Sequence, residues 1–108
     1  MINKKYSFNP ESRYLTRGIN SEVPLSMQML LWDIIDRVVA SDIDTDYLSV
    51  FKFKEDNNNV IVIYSQEEPS YIQEHPFKMQ ENYRVLIGKT IFVIDDVTHS
   101  TMLLASEY

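Results

Sequence analysis

The chain has no cysteine, only two glycines among 108 residues, and no long apolar run. Without cysteine there is no disulfide scaffold, no thiolate zinc site and no cysteine nucleophile. Gly18 and Gly88 stand too far apart for a G-x-G-x-x-G fingerprint or a Walker loop. Gly88-Lys89-Thr90 imitates the end of a Walker motif, but no upstream glycine builds the phosphate cradle, and a strand pattern follows where a helix is required. The longest uninterrupted apolar stretch is Val60 to Tyr64. A membrane-spanning helix needs about 20 such residues and a signal peptide about 7–15. No G-x-S-x-G elbow and no H-E-x-x-H helix occurs. The expectation is a cytoplasmic protein with no membrane contact, no bound cofactor and no metal.

What is present suits one folded unit. Hydrophobic residues make up 44% of the chain and aromatics 12%, enough to bury about two-thirds of the unfolded surface of a chain this long. The net charge is −6. Lys4, Lys5, Arg13 and Arg17 outnumber Glu11 in the first twenty residues, so the acid lies in the remainder. An acidic body repels a polyanion at long range. The cations of the N-terminal stretch interleave with Tyr6, Phe8 and Tyr14, a pattern able to grip a single nucleic-acid strand. Four cations beside an acidic body are too few to make nucleic acid the expected partner. Cations on an edge strand also discourage edge pairing, which accounts for them without a ligand.

Residues 1–12 read as a flexible N-terminal arm ending in the turn Asn9-Pro10-Glu11-Ser12, and residues 13–108 as a single globular domain. Arg13 to Arg17 reads as a short strand, with Gly18 permitting a sharp exit. A helix is expected from Pro24 to Ala40, where Met27, Leu31, Ile34, Ile35 and Val38 fall on one stripe at 100° per residue. Met29 and Leu30 lie on its flank. The period then changes to two. Tyr47 to Lys54 and Val60 to Ser65 form a hairpin across an Asn-rich turn, and Thr90 to Asp95 and His99 to Leu104 form another. Residues 66–89 carry Pro69 and Pro76, which argue against a central strand, and are left as short strands or extended loop. The order lacks the alternation of a parallel doubly wound sheet. The fold class is therefore α+β: one amphipathic helix packed on a curved, mainly antiparallel sheet of about five strands. The expected core is Leu31, Trp32, Ile34, Ile35, Val38, Leu48, Val50, Phe51, Ile61, Ile63, Phe92, Ile94, Met102 and Leu104.

Two clusters invite a chemical reading. Asp42-Ile43-Asp44-Thr45-Asp46 has the opening spacing of a calcium loop, but Tyr47 replaces the required glycine and Phe53 the closing glutamate. Asp95, Asp96 and His99 surround the second hairpin turn, where a carboxylate could orient an imidazole. Adjacent strand residues point to opposite faces, so His99 and Ser100 are poorly placed as base and nucleophile.

Several segments carry a resemblance: Arg13-Tyr14-Leu15-Thr16-Arg17-Gly18-Ile19-Asn20, Leu30-Leu31-Trp32-Asp33-Ile34-Ile35-Asp36, Asp46-Tyr47-Leu48-Ser49-Val50-Phe51, Gln66-Glu67-Glu68-Pro69, Val93-Ile94-Asp95-Asp96 and Ser100-Thr101-Met102-Leu103-Leu104. Through them the chain resembles domain-of-unknown-function family 960, small uncharacterised proteins of low-GC Gram-positive bacteria and their mobile elements. The likeness spans about residues 13–108. It implies a bacterial cytosolic setting and no activity.

With no complete catalytic or cofactor constellation, the leading expectation is a non-enzymatic module that binds an unknown protein partner or its own copy. The candidate surface comprises Arg13, Arg17, Met29, Leu30, Asp95, Asp96 and His99. One alternative is an acidic decoy that blocks a nucleic-acid-binding protein, which calls for Asp33, Asp36, Glu67, Glu68, Asp95 and Asp96 on one face. Another is a small hydrolase or metal enzyme built on the Asp95, Asp96 and His99 turn.

Overall fold

The computed structural model describes residues 4–108. The strands are β1 (Arg13–Leu15), β2 (Leu48–Asp56), β3 (Asn59–Gln66), β4 (Tyr71–Lys78), β5 (Thr90–Asp95) and β6 (Ser100–Leu104). They form one sheet in the order β1-β6-β5-β2-β3-β4. All neighbours are antiparallel except β1 and β6, which run parallel. The sheet thus has six strands and is mixed, where about five mainly antiparallel strands are expected. The extra strand is β4. The β2–β3 hairpin closes on Asn57 and Asn58, both at positive φ (49° and 63°), the backbone that a tight two-residue hairpin turn requires and that asparagine tolerates.

There is also more than one helix. Besides α2 (Leu25–Ala40) there is α1 (Arg17–Glu22), with short 3-10 turns at Glu81–Leu86 and Ala105–Glu107. The expected strand from Arg13 to Arg17 stops at Leu15 because Thr16 caps α1, its hydroxyl accepting from the Ile19 N–H at 3.3 Å. Gly18 makes no sharp exit. It sits inside α1, where a Cβ would lie 2.6 Å from the Glu107 carboxylate.

Helix α2 lays Met27, Leu31, Ile34, Ile35 and Val38 on one face of the sheet. There they meet Phe51, Phe53, Val60, Val62, Tyr64, Ile91, Val93, Met102 and Leu104. Complete burial of each such side chain is worth roughly 1.5–3 kcal/mol. Gln28, also buried on this helix, donates to the Val23 carbonyl at 2.9 Å, so its amide is not stranded. Tyr83 and Leu86 of the first 3-10 turn close the core beside α2.

Two further departures concern the core. Residues 4–12, expected to be an arm outside the folded unit, bring Phe8 into the core with no exposed surface; residues 1–3 of that arm lie outside the described residues. Trp32, Leu48, Val50, Ile63, Phe92 and Ile94, all expected inside, are only half-buried. Trp32 lies at the margin of the core beneath the Arg13 guanidinium, 4.5 Å from its ring. The other five share the second face of the sheet.

Candidate functional site

In an antiparallel ladder, residues directly opposite each other point the same way. The register therefore assembles the second face row by row. One row runs Tyr14, Thr101, Ile94, Leu48 from β1 to β2. The next runs Leu103, Phe92, Val50, Ser65, Ile72 from β6 to β4. Below it lie Thr90, Lys52, Ile63 and Glu74, then Lys54, Ile61 and Pro76. An antiparallel sheet with one wet face normally turns polar side chains to water. Here the centre of the uncovered face is aliphatic and aromatic. Of its apolar side chains, Leu103 and Ile61 are buried and Leu48, Val50, Ile63, Phe92 and Ile94 are partly buried, while Ile72 (67% exposed) and Tyr14 (59%) stand on the two edge strands. The Tyr108 ring stands edge-on to Phe92 at 5.7 Å and is the chain's own partial cover for this face. A contiguous apolar patch of this kind is the ordinary signature of a contact surface.

The residues singled out from the sequence are not brought together. Arg13 is a clasp. It donates to the Phe8 carbonyl through Nε (3.1 Å) and a terminal nitrogen (2.8 Å), pairs with Asp36 on α2 and stacks on Trp32. Arg17 is exposed on α1. Met29 is exposed on α2 (63%), while Leu30 packs against the edge of the core. Asp95 is buried, one oxygen accepting the Phe8 N–H and the other the Val97 N–H, each at 2.9 Å. Asp96 is exposed and caps its own turn. One oxygen accepts the Thr98 hydroxyl (2.7 Å), the Thr98 N–H (3.0 Å) and the His99 N–H (2.9 Å), and the other lies 3.2 Å from His99 Nδ1. The Thr98 hydroxyl and then the His99 N–H hold this carboxyl below the ordinary aspartate range. The His99 ring meets Tyr14 edge-on at 5.3 Å.

The other carboxylates are dispersed. Asp33 and Asp36 pair with Arg37 and Arg13 on the outer side of α2, and Glu67 and Glu68 form the β3–β4 turn. Asp46, the last acid of the calcium-like run, accepts the Glu67, Glu68 and Tyr47 N–H groups at 3.3, 3.0 and 2.7 Å. Among the described residues, no three acidic or histidine side chains are placed to hold a metal ion. His75, under α2 at the β4 edge, has its pKa lowered by burial and by the nearby Arg37 charge, and its Nε2 is buried without a partner.

Sequence reasoning missed the apolar face because it placed those residues inside. Strand β5 is apolar on both sides, so alternation alone does not tell which side a helix covers. The one available signal was Lys52 and Lys54 on the same face as Val50, since a lysine column does not belong in a core.

No helix among the described residues is long and apolar enough to cross a membrane. A family model described as a staphylococcal protein of unknown function, DUF960, matches residues 12–107. The crystal structure of a protein of unknown function from Enterococcus faecalis is similar to this chain, at 28% identity and a TM-score of 0.79, covering 100% of this chain and 98% of that one. No curated protein matches.

Proposed function

The chain belongs to the DUF960 family, and from that premise we propose that it is a non-enzymatic interaction module of the bacterial cytosol that docks a protein on the open face of its sheet. The observation that carries this reading is the partly exposed cluster Leu48, Val50, Ile63, Phe92 and Ile94 on a face where water-facing polar residues are the rule. The strands hold this cluster rigidly, so little ordering entropy opposes docking. The state of the acids supports the same reading. Asp95 and Asp96 spend their oxygens on backbone N–H groups, which favours fixed turns over proton transfer.

The test is a photo-cross-linker carried in the living host, Phe92→p-benzoylphenylalanine on the open face against Asp33→p-benzoylphenylalanine on the outer side of α2. Discrete adducts are expected from position 92 and not from position 33. Equal or absent adducts at both positions reject the open face as a docking surface.

A further inference from the structure

We propose that the occupant of the open face is a second copy of this chain, laid face to face with its strands antiparallel about a two-fold axis in the plane between the sheets. The proposal rests on the reading of that face as a docking surface and adds the partner's identity.

The open face has an excess of lysine toward one end of the strands and acidic turns at the other, an arrangement that complements itself when one copy is reversed on another. Lys52, Lys54 and Lys78 stand on the open face toward the β2–β3 turn, where Asp56 shares the row of Lys78 across Asn59. Glu74 pairs with Lys54 at 3.3 Å, while Lys52 and Lys78 have no carboxylate partner among the described residues. The opposite end of the sheet carries the exposed Glu67 and Glu68 of the β3–β4 turn and Asp96 of the β5–β6 turn. Lys4 and Lys5 also lie at that end; the Lys4 ammonium is turned inward onto the carbonyls of Val38, Ser41 and Ile43, and that of Lys5 stands over the Tyr6 ring at 5.3 Å. With parallel strands, two stacked copies would set lysine over lysine and acid over acid. With antiparallel strands, the acidic turns of each copy lie by Lys52 and Lys78 of the other, twice per dimer, while the Val50, Phe92 and Ile94 centres meet. An isologous interface requires this kind of self-complementarity.

The area is adequate. Six strands about 4.8 Å apart, averaging six to seven residues at about 3.3 Å each, give a face of roughly 600 Å². Two such faces together bury about 1,200 Å², the lower limit of the range for stable specific interfaces, so a weak, reversible dimer is expected. Sheets pack on sheets with their strands within about 30° of alignment, which this arrangement satisfies. The edges offer a poorer route to a dimer: β1 has three residues and β4 carries Pro76.

Sedimentation equilibrium on the full chain reads the outcome. The unmodified protein is expected to dimerise. Ile94→Asp should weaken the dimer about 30-fold or more, as loss of a central anchor does. Two charge reversals at exposed positions keep the test independent of core folding. Lys52→Glu with Lys78→Glu, and Glu67→Lys with Glu68→Lys, should each abolish self-association alone, and a mixture of the two should form a heterodimer. A protein that stays monomeric at millimolar concentration overturns the proposal, as does a dimer indifferent to Ile94→Asp and to both charge reversals. If the monomeric protein still gives a position-92 adduct to a different protein, the second copy is rejected and the docking surface stands. If neither dimer nor adduct forms, both readings fall.

Discussion

Asp95 and Asp96 are adjacent in sequence yet do different jobs, because a strand ends between them. Asp95 is the last residue of β5 and points into the core face, where its two oxygens tie Phe8 and Val97 to the sheet. Asp96 lies outside the strand and nucleates the turn. The sequence shows an Asp-Asp pair three residues from a histidine. It does not show that backbone N–H groups will claim the carboxylates, because one of those donors is Phe8, 87 residues away. Glu107 repeats the theme, with oxygens accepting the Thr16 hydroxyl (2.6 Å), the Leu104 N–H (2.9 Å) and the Gly18 N–H (3.2 Å). The Thr16 hydroxyl first, then Leu104, lowers its pKa from the ordinary 4.5. A carboxyl depressed in the folded state adds stability that is complete above its unfolded pKa and is lost as pH falls through its folded pKa. Urea midpoints of the unmodified chain should therefore decline below about pH 4.5. Glu107→Gln, which cannot ionise, should lower the midpoint at neutral pH and flatten that acid limb. An acid limb of unchanged slope in the variant would show that the clasp on α1 is not linked to folding.

At the scale of elements, legibility followed how local each cause was. Helix α2 and strands β2, β3, β5 and β6 could be read because their own side chains repeat at 3.6 or two residues. Helix α1 could not, because Arg17-Gly18-Ile19-Asn20-Ser21-Glu22 has no apolar stripe, and its start is set by the Thr16 cap and by Glu107 from the far end of the chain. Strand β4 was hidden by its proline and its polar residues. The Met79 N–H bond to the Asn58 carbonyl at 2.9 Å fixes the phase of the β3–β4 ladder. By alternation, Phe77, His75, Gln73 and Tyr71 then exchange bonds with β3, while the Pro76 nitrogen faces the open edge. Proline is tolerated in this strand because the strand is at the edge and no donor is needed there. The same proline guards that edge, since the outward donors of Glu74 and Lys78 are separated by a position with none. Pro76→Val should cost about 0.4–1 kcal/mol through added freedom of the unfolded chain, and should give species larger than a dimer that grow with concentration. Light scattering decides it: a variant no more associated than the unmodified chain means that the edge is protected in some other way.

Across the whole molecule, the folded unit begins earlier than its secondary structure does. The first strand starts at Arg13, yet Phe8 is completely buried, its N–H held by Asp95 and its carbonyl by two nitrogens of Arg13, which in turn reaches Asp36 and Trp32 on α2. A segment without helix or strand thus joins β1, β5 and α2. Nothing in Tyr6-Ser7-Phe8-Asn9-Pro10 repeats at a structural period, so the sequence alone cannot show this docking; it depends on partners 5 and 87 residues away. If the segment were a loose arm, Phe8→Ala would be nearly silent. With Phe8 in the core, the substitution should cost about 3–5 kcal/mol, a large share of the roughly 5–15 kcal/mol that holds a domain together. Denaturant unfolding of Phe8→Ala beside Tyr14→Ala, an exposed aromatic truncated as a control, separates the two cases. A large loss at Phe8 with little change at Tyr14 makes residues 4–12 part of the domain, and equal small losses return them to the status of an arm.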